Sequence, residues 1–133
     1  MNINTLIEQA HSTAKSKGFW DKERNRAELL MLIVSELAEA LEADRKQRHC
    51  SLTKSELEVG LHLSELNFKK EENKQAFIEF YNNEIKGSFE EEIADTLIRL
   101  FDLVGGMNID VTTHILLKMK FNETRERLHG KKY

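Results

Sequence analysis

Residues Leu29–Ala43 read LLMLIVSELAEALEA, the densest apolar run in the chain, with acids set inside it. On an α-helix each residue turns by about 100°. With Glu36 taken as zero, Leu29 and Ala40 fall at roughly 20° and 40°, and Leu32 and Ala43 at roughly 320° and 340°. Glu36 is therefore centred in an apolar face. Glu39 falls near roughly 300°, at the edge of the polar side that carries Glu28, Ser35, Glu42 and Lys46. An ionised carboxylate in an apolar stripe is costly unless something compensates it. It is either a partly exposed salt-bridge partner or a metal ligand or catalytic acid.

The rest of the chain reads as helix around this one. There is no proline and there are only six glycines, and no strict apolar–polar alternation runs over six residues. The expected fold class is all-α, a helical bundle of about four to six helices. Asn4 or Thr5 can cap a first helix through about Lys17, which Gly18 ends. The helix holding Glu36 spans about Lys22 to Gln47. His49 to Gly87 is more polar, with amphipathic pieces at Ser55–Leu66 and Asn73–Ile85. Ser88-Phe89-Glu90-Glu91 has the pattern of a capping box and opens a helix through about Val104. Gly105-Gly106 should stop that helix, and Asp110 can cap a last one through about Leu128.

The helix from Ser88 repeats the feature of the first. Taking Glu92 as zero, Arg99 lies near roughly 340°, Asp95 near roughly 300° and Asp102 near roughly 280°, with most of the remaining circumference apolar. The narrow polar strip is either solvated or lines an interior cleft. Both helices carry an acidic pair at i, i+3: Glu36 with Glu39, and Glu92 with Asp95. If these faces pack together, four carboxylates converge and need cations. All-oxygen ligands suit Mg²⁺ or Mn²⁺, and Mg²⁺ is commonly completed by substrate phosphates. The pattern thus points to phosphate-ester or phosphoanhydride chemistry. A di-iron bundle would want two Glu-x-x-His motifs, and only Glu8 to His11 fits.

Composition removes other classes. The 133 residues are 40% hydrophobic and 32% charged, with 20 basic and 23 acidic side chains giving a net charge of −3. That balance gives no pull toward nucleic acid or an acidic membrane. Cys50 is alone, which excludes an internal disulfide and a cysteine-based zinc site. No apolar run reaches the roughly 18 residues of a membrane span, and the N-terminus lacks signal-peptide character, so a cytoplasmic setting is expected. Near the C-terminus, Lys118, Asn122 and Arg125 fall at i, i+4 and i+7, one helical face able to hold a polyphosphate. The alternative there is a solvated basic helix.

Three blocks, LMLIVSELAEALEADR, FEEEIADTLIRLFDL and KMKFNETRERLHGKKY, together with Gly18-Phe19-Trp20, resemble the MazG-like all-α nucleoside triphosphate pyrophosphohydrolases of bacteria and phages. The resemblance covers most of the chain and is weakest over 49–87. It implies a single domain over 1–133, with 49–87 a more variable helical segment, assembled as a homodimer or a dimer of dimers. It implies Mg²⁺-dependent hydrolysis of a nucleoside triphosphate to the monophosphate and pyrophosphate. Glu36, Glu39, Glu92 and Asp95 would then be the catalytic metal ligands. Lys118, Asn122 and Arg125 would hold the phosphates and nucleoside, with Trp20 able to stack on a base. Many relatives have two adjacent acids at the start of the first motif, whereas here Ser35 precedes Glu36. The alternatives are a dUTPase-like or other nucleotide hydrolase acting on a diphosphate, and a non-catalytic nucleotide-binding protein.

Overall fold

The computed structural model describes residues 1–132. The chain is all-α: among the described residues there are six α-helices, one short 3₁₀ turn and no strand. The helices are α1 (Ile3–Ser16), α2 (Arg26–Arg45), α3 (Lys54–Glu65), α4 (Glu71–Glu84), α5 (Phe89–Gly106) and α6 (Val111–Glu123). None is long and apolar enough to cross a membrane. The chain forms two compact units, one of Arg26–Leu97 and the other of Met1–Asn25 with the chain from Ile98 onward.

In the Arg26–Leu97 unit, α2 buries one face: Leu29, Ile33, Ala40 and Ala43, with Glu36 among them. α2 begins at Arg26, four residues later than the pattern suggested, and ends at Arg45. Gln47 takes a positive φ of 54°, and the Arg48 amide closes the end on the Ala43 carbonyl at 2.9 Å. α3 opens with a complete capping box, the Thr53 side chain and Glu56 bonding each other's backbone amides. α3 and α4 lie close because α3 has a glycine at the crossing. A Cβ on Gly60 would come within 2.4 Å of the Phe80 ring. Phe68, Phe77 and Tyr81 then follow in ring contact at 5.5 and 6.0 Å.

α5 starts as expected, with buried Ser88 accepting from the Glu91 amide at 3.1 Å. The return half of the capping box differs: Glu91 reaches past Ser88 to the Gly87 amide.

In the other unit, Asn2 rather than Asn4 or Thr5 caps α1, accepting from the Thr5 amide at 3.0 Å. Asn4 instead accepts from the Thr112 hydroxyl at 2.6 Å, tying α1 to α6. Asp110 caps α6 through the Thr113 amide, as expected. Asp102 on α5 gathers His11 Nδ1 and the Trp20 indole N–H onto one oxygen, both at 2.8 Å.

Gly105 and Gly106 do not stop α5; they are its last two residues. Their bareness admits α1 and its following turn. A Cβ on Gly106 would lie 2.3 Å from the Trp20 ring, whose indole is pinned by Asp102. Gly106→Ala should therefore destabilise the chain by about 1–3 kcal/mol, less up to about 1 kcal/mol of helix propensity. Urea unfolding followed by the fluorescence of Trp20 measures this. A variant as stable as wild type would contradict the close packing.

Candidate metal centre

The acids of α2 and the first half of α5 lie in the same unit, and three of the four converge. Carboxylate oxygens of Glu36, Glu39 and Glu92 all lie within 4.8 Å of one another. Glu36 is only 6% exposed, held by the apolar face of α2 as its position in the stripe requires. Glu39, one turn on, is exposed, and Glu92 is intermediate. Asp95 stands outside this set of three, yet its charge helps to raise the pKa of Glu92.

The site is electrostatically crowded. Glu92 is held above the ordinary carboxylate range, first by desolvation and then by the charges of Glu39, Glu91, Asp95 and Glu36. A cation would offset that repulsion. Oxygens on opposite sides of a Mg²⁺ at 2.0–2.1 Å stand about 4.2 Å apart. Only one pair can stand so, and neighbouring ligands of an octahedral ion lie about 3 Å apart, so the three carboxylates, within 4.8 Å of one another, would have to draw inward to share one ion. Three oxygen donors with no nitrogen or sulfur suit Mg²⁺ or Mn²⁺ and leave positions for water and phosphate oxygens.

No protein-family model, curated protein or solved structure matches the chain. The functional reading therefore rests on the residues themselves.

Two participants escaped the sequence reading. Tyr81 on α4 bonds Glu91, and its phenol is pushed well above the ordinary range by desolvation, by that bond, and by the charges of Glu91, Asp95 and Glu92. It thus stays protonated and donates. Nothing in the spacing of 49–87 marked Tyr81, because only the packing of α4 brings it to the acids. Glu91 has the position of a helix cap, and in the fold it accepts from Tyr81 as well as from the Gly87 amide.

The residues expected on the substrate side lie in the other unit. Trp20 is half-buried, bonded to Asp102 and in edge contact with His11 at a ring separation of 5.0 Å. Arg24 lies 5.8 Å from its ring. Lys118 is exposed, with its ammonium 4.8 Å from the Phe121 ring centre. The buried Oδ1 of Asn122 has no hydrogen-bond partner among the described residues. Arg125 does not share their helical face. α6 ends at Glu123, not near Leu128, because the Thr124 and Arg125 amides turn back to the carbonyls three residues earlier. The Thr124 hydroxyl caps the Phe121 carbonyl at 2.7 Å, and the Arg125 guanidinium reaches the His129 carbonyl at 3.4 Å.

Proposed function

We propose that the chain is a Mg²⁺-dependent pyrophosphohydrolase of nucleoside triphosphates, of the MazG-like kind its sequence resembles. The observation that carries the reading is the convergence of Glu36, Glu39 and Glu92 within 4.8 Å. Bound Mg²⁺, or Mn²⁺ in its place, would neutralise the triphosphate and lower the pKa of a bound water. The chain's own part is to present the ligands. Glu36 comes from a buried position, whereas the exposed Glu39 can adjust to the incoming substrate. Such a division suits a site that must hold its ions and admit a phosphate. A carboxylate of the set, left with a free oxygen, can accept the proton of the attacking water.

The test is turnover of a panel of nucleoside triphosphates and deoxynucleoside triphosphates. Hydrolysis should need Mg²⁺ or Mn²⁺ and stop in excess EDTA. Binding without turnover across the panel would instead support a nucleotide-binding protein.

Lys118, Asn122, Arg125 and Trp20 are proposed as the substrate-holding residues, on the sequence resemblance. Lys118→Ala should raise KM or lower kcat with no loss of fold, since an exposed side chain is removed. One charge-assisted contact at about 1.5–3 kcal/mol corresponds to roughly a tenfold to hundredfold fall in kcat/KM. Unchanged kinetics with every good substrate would return Lys118 to a solvated surface role.

We also propose a homodimer or a dimer of dimers. The side of α2 opposite Glu36 carries Leu30, Val34, Leu37 and Leu41, exposed by 52, 49, 48 and 51%. Their 4-3-4 spacing is the seam that a second helix covers in a coiled coil. A face of this kind repeated on an identical chain is self-complementary about a twofold axis.

A further inference from the structure

A second group of charged side chains lies at the connector that follows α2. Both ring nitrogens of His49 face carboxylates: Nδ1 is 3.2 Å from Glu90 Oε1 and Nε2 is 3.1 Å from Asp44 Oδ1. A neutral imidazole has one N–H and one bare lone pair, so between two carboxylates only the imidazolium donates both ways. The other oxygen of Glu90 accepts from the Cys50 amide at 2.7 Å. Beside it, the Phe89 amide donates to the Arg48 carbonyl at 2.8 Å, and the Phe89 ring lies 5.4 Å from the imidazole. One ring thereby joins the last turn of α2, the connector and the first turn of α5. These are the two helices that carry Glu36, Glu39 and Glu92.

We propose that His49 is a proton-dependent clasp, which as imidazolium holds the first turn of α5 on the C-terminal end of α2 and on losing its proton releases one of the two carboxylates. The charged groups facing the ring are Asp44 from α2 and Glu90 from α5. Arg48 and Cys50 flank it in the chain, and Glu42 of α2 is engaged by Lys46 at 2.8 Å. The bond to Glu90 is the leading cause that lifts His49 above the ordinary imidazole value, against desolvation, with Asp44 adding to it. A raised value in the folded chain fixes the direction. The clasp is fully closed below pH 6.5 and is lost as the pH rises through the raised value. Because Glu92 follows the tethered Glu90 by two residues on the same helix, the clasp is a positioning device for the acid set. That consequence rests on the metal reading above, whereas the clasp itself does not.

The experiment is solvent-exchange NMR on the Cys50 and Phe89 amides of the full chain, corrected for intrinsic exchange, alongside the NMR titration of His49. At pH 6.5 these amides should be about two- to fivefold better protected in wild type than in His49→Gln, the range for exposed ion pairs. At about two pH units above the midpoint measured for His49 the difference should vanish, while His49→Arg, charged throughout, should keep it. Equal protection in wild type and His49→Gln at pH 6.5 would overturn the clasp. So would a difference that persists about two pH units above the measured midpoint, or a His49 that titrates at or below 6.5. Mn²⁺ affinity measured on the same samples should fall with the protection. Wild type that shows the pH-dependent protection and binds no Mn²⁺ would uphold the clasp and remove the metal reading.

Discussion

Glu39→Gln is expected to abolish Mg²⁺-dependent turnover while the fold survives. The amide keeps the shape of the side chain and loses the charge that binds a hard cation. Groups that only orient metal ligands cost tenfold to hundredfold when removed, so loss of a direct ligand should exceed about a hundredfold. Asp95→Asn, outside the set of three, should fall within about tenfold to hundredfold. Stability without metal should move the other way. Glu39 contributes to the repulsion that holds Glu92 above its ordinary range, so its amide should hold or raise the thermal midpoint in EDTA. Steady-state kinetics with a good substrate and thermal melts of the same preparations test both halves. Wild-type turnover in Glu39→Gln would refute its assignment as a ligand.

The second large effect concerns assembly. Wild type should sediment as a dimer or a larger oligomer at tens of micromolar, and Leu37→Glu with Leu41→Glu should sediment as a monomer. Both side chains lie about half exposed on the outward seam of α2. Two carboxylates buried at a self-complementary seam would meet their own copies across a twofold axis, and burying unpaired charge costs several kcal/mol each. Helicity should be retained, because the substitutions sit opposite the packed face of α2. Sedimentation of wild type as a monomer would remove the assembly proposal.

The sequence made the fold class legible because every long apolar run has a helical period and no run alternates. It located Glu36 for the same reason: its stripe partners Leu29, Ala40 and Ala43 are buried, although Leu32, read onto the same stripe, is 36% exposed and Ile33 takes its place in the core. Its errors came where local rules yield to packing. Gly105-Gly106 has the composition of a helix stop, yet both are still helical as the last residues of α5, and their missing Cβ atoms leave room for His11 and Trp20. Arg125 kept the spacing of α6 and lost its helix, since Thr124 closes the end early. Asp102 was visible as part of a polar strip, but its partners His11 and Trp20 lie 91 and 82 residues away and share no local pattern with it. Tyr81 was invisible for a similar reason, since α4 reaches the acids only through tertiary contact. The convergence of the two acidic pairs was a conditional statement in the sequence. In the fold, Glu36, Glu39 and Glu92 meet, and Asp95 acts on Glu92 through its charge.

The central claim is hydrolysis at the α-phosphorus by a carboxylate-held metal centre, and the position of a solvent oxygen in the products tests it most directly. Turnover of a nucleoside triphosphate with Mg²⁺ in ¹⁸O-water should yield the nucleoside monophosphate and pyrophosphate, with the label in the monophosphate. Orthophosphate should appear only after a pyrophosphatase is added. Label in pyrophosphate or direct release of orthophosphate would contradict the account, because water would then attack the β or γ phosphorus.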